Sequence, residues 1–306
     1  MANEVAEKIR DMQIRGAVKI ATSAVSELKR IADESSEEGF KSTSDLVKAL
    51  FENAAELRSA RPTAVSLPNA VDYAVNFIKE NSNLNLDEFR VNFSNFCYNF
   101  IKEQNEAVER IGVKGCELIS EGDVILTHCN SQSALSIIKK SHEKFPGISV
   151  ISTETRPRNQ GYITARQLSS TGVKTTFIVD SAVLRAMRKF RVKKVIVGAD
   201  AVYERGILNK IGTCQVALCA KSMNIPFIVA SQYLKFTKRS LEEIEVENRS
   251  PEEVTKESWI YEQGINVFNP AFDVTPKEYI DLIVTEEGYG SFEDVYSRWD
   301  SRKIIE

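Results

Sequence analysis

The spacing of apolar residues in this 306-residue chain changes once, at Glu121-Gly122-Asp123. Before that point, apolar residues recur at helical spacing, as in residues 17–28, 45–51 and 86–118. After it, short apolar runs typical of strands alternate with helical segments. The predicted strands are 124–127, 148–152, 176–179, 194–197 and 227–230, and the helices between them are 133–140, 164–168, 182–190 and 213–223. The chain is therefore predicted to form a helical N-terminal domain, residues 1–120, and an α/β domain with a mostly parallel, doubly wound sheet, residues 121–306.

The composition excludes several classes of protein. A net charge of −3 argues against a chain that mainly coats nucleic acid or an anionic membrane, and no apolar run approaches the ~18 residues of a membrane span. Five irregularly spaced cysteines make no disulfide framework, and two histidines are too few for a multi-ligand zinc site. Walker A and Gly-x-Gly-x-x-Gly motifs are absent. We expect a cytoplasmic enzyme or regulator with no metal, no cofactor, no membrane association and no direct nucleic-acid binding.

Reactive side chains follow two of the predicted strands. Asp200 ends the run Val197-Gly198-Ala199-Asp200, and Cys129 follows Thr127-His128 after the first strand. Ligands of open α/β sheets bind beyond the carboxyl ends of strands. An aspartate there can simply cap a turn, and a cysteine can be a buried core residue. The position of Cys129 directly before a helix favours a lowered thiol pKa. Together the two side chains would supply one proton acceptor and one proton donor.

Groups suited to binding anions lie on several predicted loops. Asn209 and Lys210 precede Gly212-Thr213, where a helix is predicted to begin and to offer free N–H groups to a phosphate. The other candidates are Arg15, Gly16 and Ala17 at the start of a helical run, Arg61 in a loop with two prolines, and Arg156 and Gln160 after the second strand. Each is common in ordinary loops. Taken together they indicate a phosphorylated substrate.

These motifs, in this order, resemble a superfamily that unites sugar-phosphate isomerases with regulatory subunits of translation initiation factor 2B. The resemblance extends from residue 15 to residue 276. It rests on Arg61-Pro62-Thr63-Ala64-Val65, Thr127-His128-Cys129, Glu154-Thr155-Arg156-Pro157, Gly198-Ala199-Asp200 and Asn209-Lys210-Ile211-Gly212-Thr213. It implies a Rossmann-like α/β domain behind a helical one.

Within the superfamily, the presence of both Cys129 and Asp200 is typical of the isomerase branches. Residues 65–70 and 233–236 are most similar to the archaeal ribose-1,5-bisphosphate isomerases. The alternatives are a methylthioribose-1-phosphate isomerase and a non-catalytic regulatory subunit that binds a sugar phosphate or nucleotide. One departure from the family pattern is a segment before Asn209 that is one residue shorter than usual.

The resemblance implies an aldose–ketose isomerase that acts in AMP metabolism. Because phosphate blocks the anomeric oxygen, an acid must protonate the ring oxygen to open the ring, and a base must then move the C2 proton. We assign Asp200 to ring opening and Cys129 to the C2 proton, with the two roles open to exchange. Arg15, Gly16 and Arg61 are expected to bind one phosphate, and Asn209, Lys210 and Lys235 the other phosphate and the sugar hydroxyls.

The resemblance also implies a homo-oligomer, either a dimer or a trimer of dimers. The apolar segment 268–274 is expected to lack a partner within one chain, which agrees with a role in assembly.

Overall fold

All regular elements that precede residue 120 are helices in the computed structural model, which describes residues 4–14, 16–35, 39–61, 64–240 and 246–301. The helices are α1 (Glu4–Arg10), α2 (Ala17–Glu34), α3 (Thr43–Ser59), α4 (Ser66–Asn81) and α5 (Leu86–Cys116). Ser42 caps α3 by accepting a hydrogen bond from the backbone N–H of Asp45. The chain divides into two compact units between Ala107 and Val108, within α5.

The second unit contains the predicted alternation of strand and helix. Its strands are β1 (Val124–Thr127), β2 (Ser149–Thr153), β3 (Lys174–Ile178), β4 (Lys194–Gly198), β5 (Ala201–Tyr203), β6 (Gly206–Lys210), β7 (Phe227–Ala230), β8 (Phe272–Pro276), β9 (Leu282–Thr285) and β10 (Gly288–Gly290). Its helices are α6 (Gln132–Lys144), α7 (Gln160–Ser170), α8 (Val183–Phe190), α9 (Thr213–Ser222), α10 (Ser258–Glu262) and α11 (Phe292–Asp300).

Seven of these strands form one sheet in the order β10-β9-β7-β4-β1-β2-β3. All of its pairs are parallel except β9 with β10. The central strands read as continuous apolar runs because helices cover both faces of a parallel sheet. Ile125, Val150, Ile196 and Ile228 from four adjacent strands belong to one buried cluster. The predicted α/β fold with a mostly parallel sheet is confirmed.

The order of the strands reverses between β1 and β4. From β1 the chain proceeds outward through β2 and β3, and it then returns to place β4 on the other side of β1. Such a reversal leaves a crevice at the carboxyl ends of the two neighbouring strands. Here those strands are the ones that precede Cys129 and Asp200.

A second, three-stranded antiparallel sheet was not predicted. It has the order β5-β6-β8, and Glu204-Arg205 form the tight turn between β5 and β6. The expectation that residues 268–274 lack a partner is wrong, because β8 pairs with β6 from Phe272 onward. Gly206 permits this pairing, since a side chain there would lie 2.3 Å from the carbonyl oxygen of Thr275.

Within the described part of the chain, no helix is both long enough and apolar enough to cross a bilayer.

Gly161 is a position where the fold admits no side chain. A Cβ atom there would lie 1.7 Å from the backbone oxygen of Thr153. We expect Gly161→Ala to lower the free energy of unfolding by roughly 1–3 kcal/mol, as overpacked sites do. Gly290→Ala is the control, because its Cβ would lie 3.2 Å from the flexible end of the Arg298 side chain and at ordinary contact distances of 3.5 and 3.6 Å from Val295 and Asp294. Urea unfolding compares the two variants, and equal midpoints would contradict the prediction.

Candidate active site

Cys129 and Asp200 follow neighbouring strands at the point where the sheet reverses. Cys129 lies two residues after β1, and Asp200 lies two residues after β4. The backbone N–H of Asp200 donates to the carbonyl oxygen of Leu208 in β6 at 2.9 Å, which anchors the turn between the two sheets. The negative charge of Asp200 raises the pKa of the Cys129 thiol. The two side chains therefore interact electrostatically at one edge of the sheet.

The pKa of the Cys129 thiol differs from the sequence-based expectation. Burial, reinforced by the charge of Asp200, raises this pKa to about 12. Loss of solvation disfavours a thiolate, and here it outweighs the backbone N–H of Asn130 and the charge of Lys210, which both act in the opposite direction. The expectation of a lowered pKa from the helix position is wrong. Cys129 is a neutral thiol at pH 7.

Two buried lysines lie in the electrostatic range of Asp200. Lys210 at the end of β6 is 3% exposed, and Lys235 is 6% exposed. The Nζ atom of Lys235 donates to the carbonyl oxygen of Ala199 at 2.8 Å. Burial lowers the pKa of both lysines, and the charge of Asp200 partly opposes this effect. The carboxylate of Asp200 and two buried lysines thus influence one another electrostatically beyond the end of β4.

Asn209 is held by the first turn of α9. Its Nδ2 atom donates to the hydroxyl of Thr213 at 3.0 Å, and that hydroxyl donates to the carbonyl oxygen of Lys210 at 2.6 Å. These two bonds fix the end of β6 against the helix. The side chain of Asn209 is buried.

The N-terminus of α9 carries a carboxylate of the protein itself. Asp273 in β8 accepts hydrogen bonds from the backbone N–H groups of Gly212, at 2.8 Å, and Cys214, at 3.2 Å. The expectation that these groups are free for a phosphate is therefore wrong. A carboxylate at a helix N-terminus satisfies the same groups and the same dipole as an anion would. This contact could not be predicted from the sequence, because Asp273 lies 61 residues from Gly212.

Arg156 and Gln160 lie beyond β2. The guanidinium of Arg156 is exposed and donates to the carbonyl oxygen of Val254 at 2.8 Å. Gln160 begins α7, and its buried Oε1 atom has no hydrogen-bond donor among the described residues. Nearby, Arg158 and Glu253 form an ion pair with Nε to Oε1 at 2.8 Å. Arg156 therefore binds the segment around Val254.

Gly16, Ala17 and Arg61 belong to the N-terminal unit, and Arg15 lies outside the described residues. Gly16 precedes α2 with φ +91°, and a Cβ atom there would meet nothing within 4 Å. The hydroxyl of Ser66 donates to the carbonyl oxygen of Ala17 at 2.9 Å. Because Ser66 begins α4, this bond joins the start of α2 to the segment that follows Arg61.

Sequence reasoning missed four residues that hold the Cys129 loop: His128, Thr155, Thr164 and Asp180. Thr164 donates its hydroxyl to the carbonyl oxygen of Cys129 at 2.7 Å, and Asp180 accepts the backbone N–H groups of Thr155 and Arg156. Asp180 could have been found, because it follows β3 as Cys129 follows β1 and Asp200 follows β4. In the described ranges, no group of three or more histidine, cysteine, aspartate or glutamate residues is arranged to hold a metal ion.

Comparison with known proteins shows the family to which this chain belongs. Residues 13–291 match the initiation factor 2 subunit family. The chain belongs to that family. One curated family relative, from Methanocaldococcus jannaschii, is named ribose 1,5-bisphosphate isomerase and is 45% identical over 93% of this chain and 90% of its own length.

Two solved structures extend the comparison. The 5-methylthioribose 1-phosphate isomerase of Pyrococcus horikoshii OT3 is 30% identical, with a TM-score of 0.80 over 97% of this chain and 86% of that one. The translation initiation factor eIF-2B subunit delta from A. fulgidus is 33% identical, with a TM-score of 0.75 over 94% of this chain and 88% of that one. The chain is thus similar in fold both to an isomerase and to a protein named as an initiation factor subunit.

Asp273 gives this site a pH dependence that stability measurements detect. Burial raises the pKa of Asp273 to about 6, although the two backbone N–H groups oppose the shift. Between pH ~4, where an unfolded aspartate ionises, and pH 6, the folded protein keeps a proton that the unfolded chain has lost. Asp273 therefore makes the free energy of unfolding fall as pH rises through this window.

We expect Asp273→Asn to remove that contribution. The difference in unfolding free energy between wild type and variant should change from pH 4 to pH 6 and be constant above pH 7. Urea unfolding at a series of pH values measures it. A difference that is independent of pH from 4 to 6 would contradict the raised pKa.

Proposed function

We propose that this family member is an aldose–ketose isomerase that converts ribose 1,5-bisphosphate to ribulose 1,5-bisphosphate. The observation that carries the proposal is the pairing of Cys129 with Asp200 at the reversal of the sheet, where the charge of one acts on the pKa of the other. The 45% identical relative that is named ribose 1,5-bisphosphate isomerase supports the same substrate and reaction.

The reaction needs an acid for ring opening, and groups that remove two protons and deliver one for isomerisation. Ring opening transfers a proton to the ring oxygen as the bond between C1 and that oxygen breaks. Isomerisation then removes the hydrogen of C2 as a proton, forms an enol between C1 and C2, and moves the proton of the C2 hydroxyl to C1. The ring oxygen and C1 each gain one proton, and C2 and its hydroxyl each lose one.

The protonated state of Cys129 favours an exchange of roles at the first stage. A neutral thiol can donate its proton to the ring oxygen, and the thiolate that results is a strong enough base to remove the C2 proton. Asp200 then takes the proton of the C2 hydroxyl and delivers it to C1. Both side chains finish in their initial protonation states, so the cycle closes without a net proton from solvent.

The lysines stabilise the negative charge that this sequence develops. Lys210 and Lys235 both interact electrostatically with Asp200, and we assign them, with Asn209, to one phosphate and to the oxygen on C2. Fixed positive groups in a site shielded from water stabilise a developing enolate far more than they would in water. The assignment of Arg15, Gly16, Ala17 and Arg61 to substrate binding, and the roles of Arg156 and Gln160, stay predictions.

We further propose a cytoplasmic homo-oligomer, a dimer or a trimer of dimers, that acts in AMP metabolism and carries most of its active site in residues 121–306. All five cysteines are unpaired thiols, which agrees with a reducing compartment. The exposed side chain of Phe268, just outside β8, is available for assembly.

Near-isosteric variants test the catalytic pair. We expect Cys129→Ser and Asp200→Asn to fold with a stability change of about 1 kcal/mol. Each should reduce kcat by about a hundredfold to ten-thousandfold, because serine is a poor base and asparagine cannot exchange a proton. Cys219→Ser is the matched control, since Cys219 is a half-buried thiol of α9 with no role in the mechanism. The rate of ribulose 1,5-bisphosphate formation is the measurement.

Arg61→Ala should act in the opposite way, raising KM or the dissociation constant while kcat stays near that of the wild type. Calorimetric titration with ribose 1,5-bisphosphate separates the two effects. Near wild-type turnover in both Cys129→Ser and Asp200→Asn, with ligand still bound, would overturn the catalytic assignment. A wild-type protein that binds the bisphosphate without converting it would instead favour a binding protein.

A further inference from the structure

A continuous chain of hydrogen bonds lies behind Cys129. The backbone N–H of Cys129 donates to Oγ1 of Thr155 at 2.9 Å, and the hydroxyls of Thr155 and Thr153 are 3.2 Å apart. Oγ1 of Thr153 is 2.7 Å from Nδ1 of His128, and Nε2 of His128 is 2.9 Å from the carbonyl oxygen of Ile211. Both threonines are fully buried, and His128 is 2% exposed. The chain thus links Cys129 to the residue after Lys210.

The chemistry of its ends sets the direction of every bond in this chain. A carbonyl oxygen only accepts, so Nε2 of His128 must carry a proton. In the neutral imidazole Nδ1 is then an acceptor, and Thr153 must donate to it. Thr153 in turn accepts from Thr155, whose oxygen accepts the N–H of Cys129. The imidazole is therefore the group that orients both hydroxyls.

The hydrogen-bond chain ends at two residues whose backbone conformations are strained. Cys129 has φ +68° and Thr155 has φ +60°, both in the left-handed region that side chains rarely adopt. Thr155 is β-branched, for which this conformation is a genuine outlier. Strained backbone of this kind persists only where the surrounding structure fixes it. Here each of the two strained residues is a partner of the other in the same hydrogen bond.

The other side of the imidazole packs against the turn between β6 and α9. A Cβ atom on Gly212, which has φ +100°, would lie 3.0 Å from Cε1 of His128. The ring therefore lies between the loop of Cys129 and the turn that follows Lys210. Any shift of the ring would be transmitted to both sides.

We propose that His128 is a positioning residue that fixes the Cys129 loop relative to the Lys210 turn through a directed hydrogen-bond chain. This inference rests on the proposed function, because it assumes that Cys129 takes part in catalysis. His128 itself touches neither substrate nor reacting atoms in this account. Its role is to keep the thiol at a fixed distance from the groups that bind the phosphate.

The surroundings of His128 keep the ring neutral. Burial lowers the pKa of His128, and the positive charge of Lys210 lowers it further, whereas the Ile211 carbonyl and the Asp180 carboxylate, 4.0 Å from Nδ1, raise it. Protonation would place a second N–H opposite Thr153 and would force both hydroxyls to turn. Thr155 would then accept two hydrogen bonds, from the hydroxyl of Thr153 and from the backbone N–H of Cys129. Its own hydroxyl proton would need a new acceptor.

Nuclear magnetic resonance of protein labelled with nitrogen-15 histidine tests the direction of the chain without any substrate. The protein has only two histidines, His128 and His142, so the spectrum of the His142→Gln variant assigns the signals. We expect His128 to be the neutral tautomer protonated at Nε2, with no change from pH 6 to pH 8. A ring protonated at Nδ1, or one that becomes doubly protonated in this range, would overturn the proposal.

Kinetics of threonine variants test the positioning role. Thr153→Val removes the donor to His128, and we expect kcat to fall on the order of tenfold to a hundredfold with KM little changed, as misplacement of a reacting group does. Thr153→Ser keeps the hydroxyl and should restore most of kcat. Thr275→Val is the matched control, because Thr275 is a buried strand residue whose hydroxyl lacks a hydrogen-bond partner among the residues described.

Each outcome has a distinct meaning. Wild-type kcat in Thr153→Val, or an equal loss in Thr275→Val and Thr153→Ser, would overturn the positioning role. A wild-type protein without isomerase activity would instead refute the proposed function, while the resonance experiment would still decide the direction of the chain. The resonance experiment also decides it if Thr153→Val fails to fold.

Discussion

The parallel pairing of β1 with β4 is the constraint on which the candidate site depends. Ile125 and Leu126 pair with Lys194 and Val195, so the residues that follow the two strands emerge side by side. At the opposite end, Lys194 forms an ion pair of 2.5 Å with Asp123, just before β1. A shift of this pairing by one residue would move the buried side chains of a strand to the other face of the sheet. The packed apolar layers on both faces oppose such a shift. The position of Cys129 relative to Asp200 is thus set by the core.

Burial then sets the electrostatics of the site. It raises the pKa of Cys129, which keeps the thiol protonated, and lowers the pKa of Lys210 and Lys235, so it disfavours the charged form of all three groups. A bisphosphate adds negative charge beside two lysines whose pKa values burial lowers and the charge of Asp200 only partly restores. Interactions between ionised groups strengthen where water is excluded, so a highly charged substrate gains most from such a site. Substrate binding and activation of the pair are therefore expected to be linked.

Much of the architecture could be predicted because periodicity and strand-end position are local properties. The strands before Cys129 and Asp200 were found within one residue, since each is a run of apolar residues before a polar turn. The small sheet β5-β6-β8 was missed because its strands are short and β8 lies more than 60 residues from β6. The contact of Asp273 with the start of α9 and the raised pKa of Cys129 could not be predicted from the sequence either. Both depend on groups brought together by the fold, and a local helix-start signal predicted the opposite at each.

Conversion of ribose 1,5-bisphosphate by the purified protein in deuterium oxide, followed by proton and phosphorus magnetic resonance, tests the roles of Cys129 and Asp200 together. We expect ribulose 1,5-bisphosphate with one deuterium at C1, because Asp200 delivers a proton that came from an exchangeable hydroxyl. Methylthioribose 1-phosphate, which lacks the second phosphate, should react far more slowly. No turnover of the bisphosphate, or a product without deuterium at C1, would contradict the proposed division of work between Cys129 and Asp200.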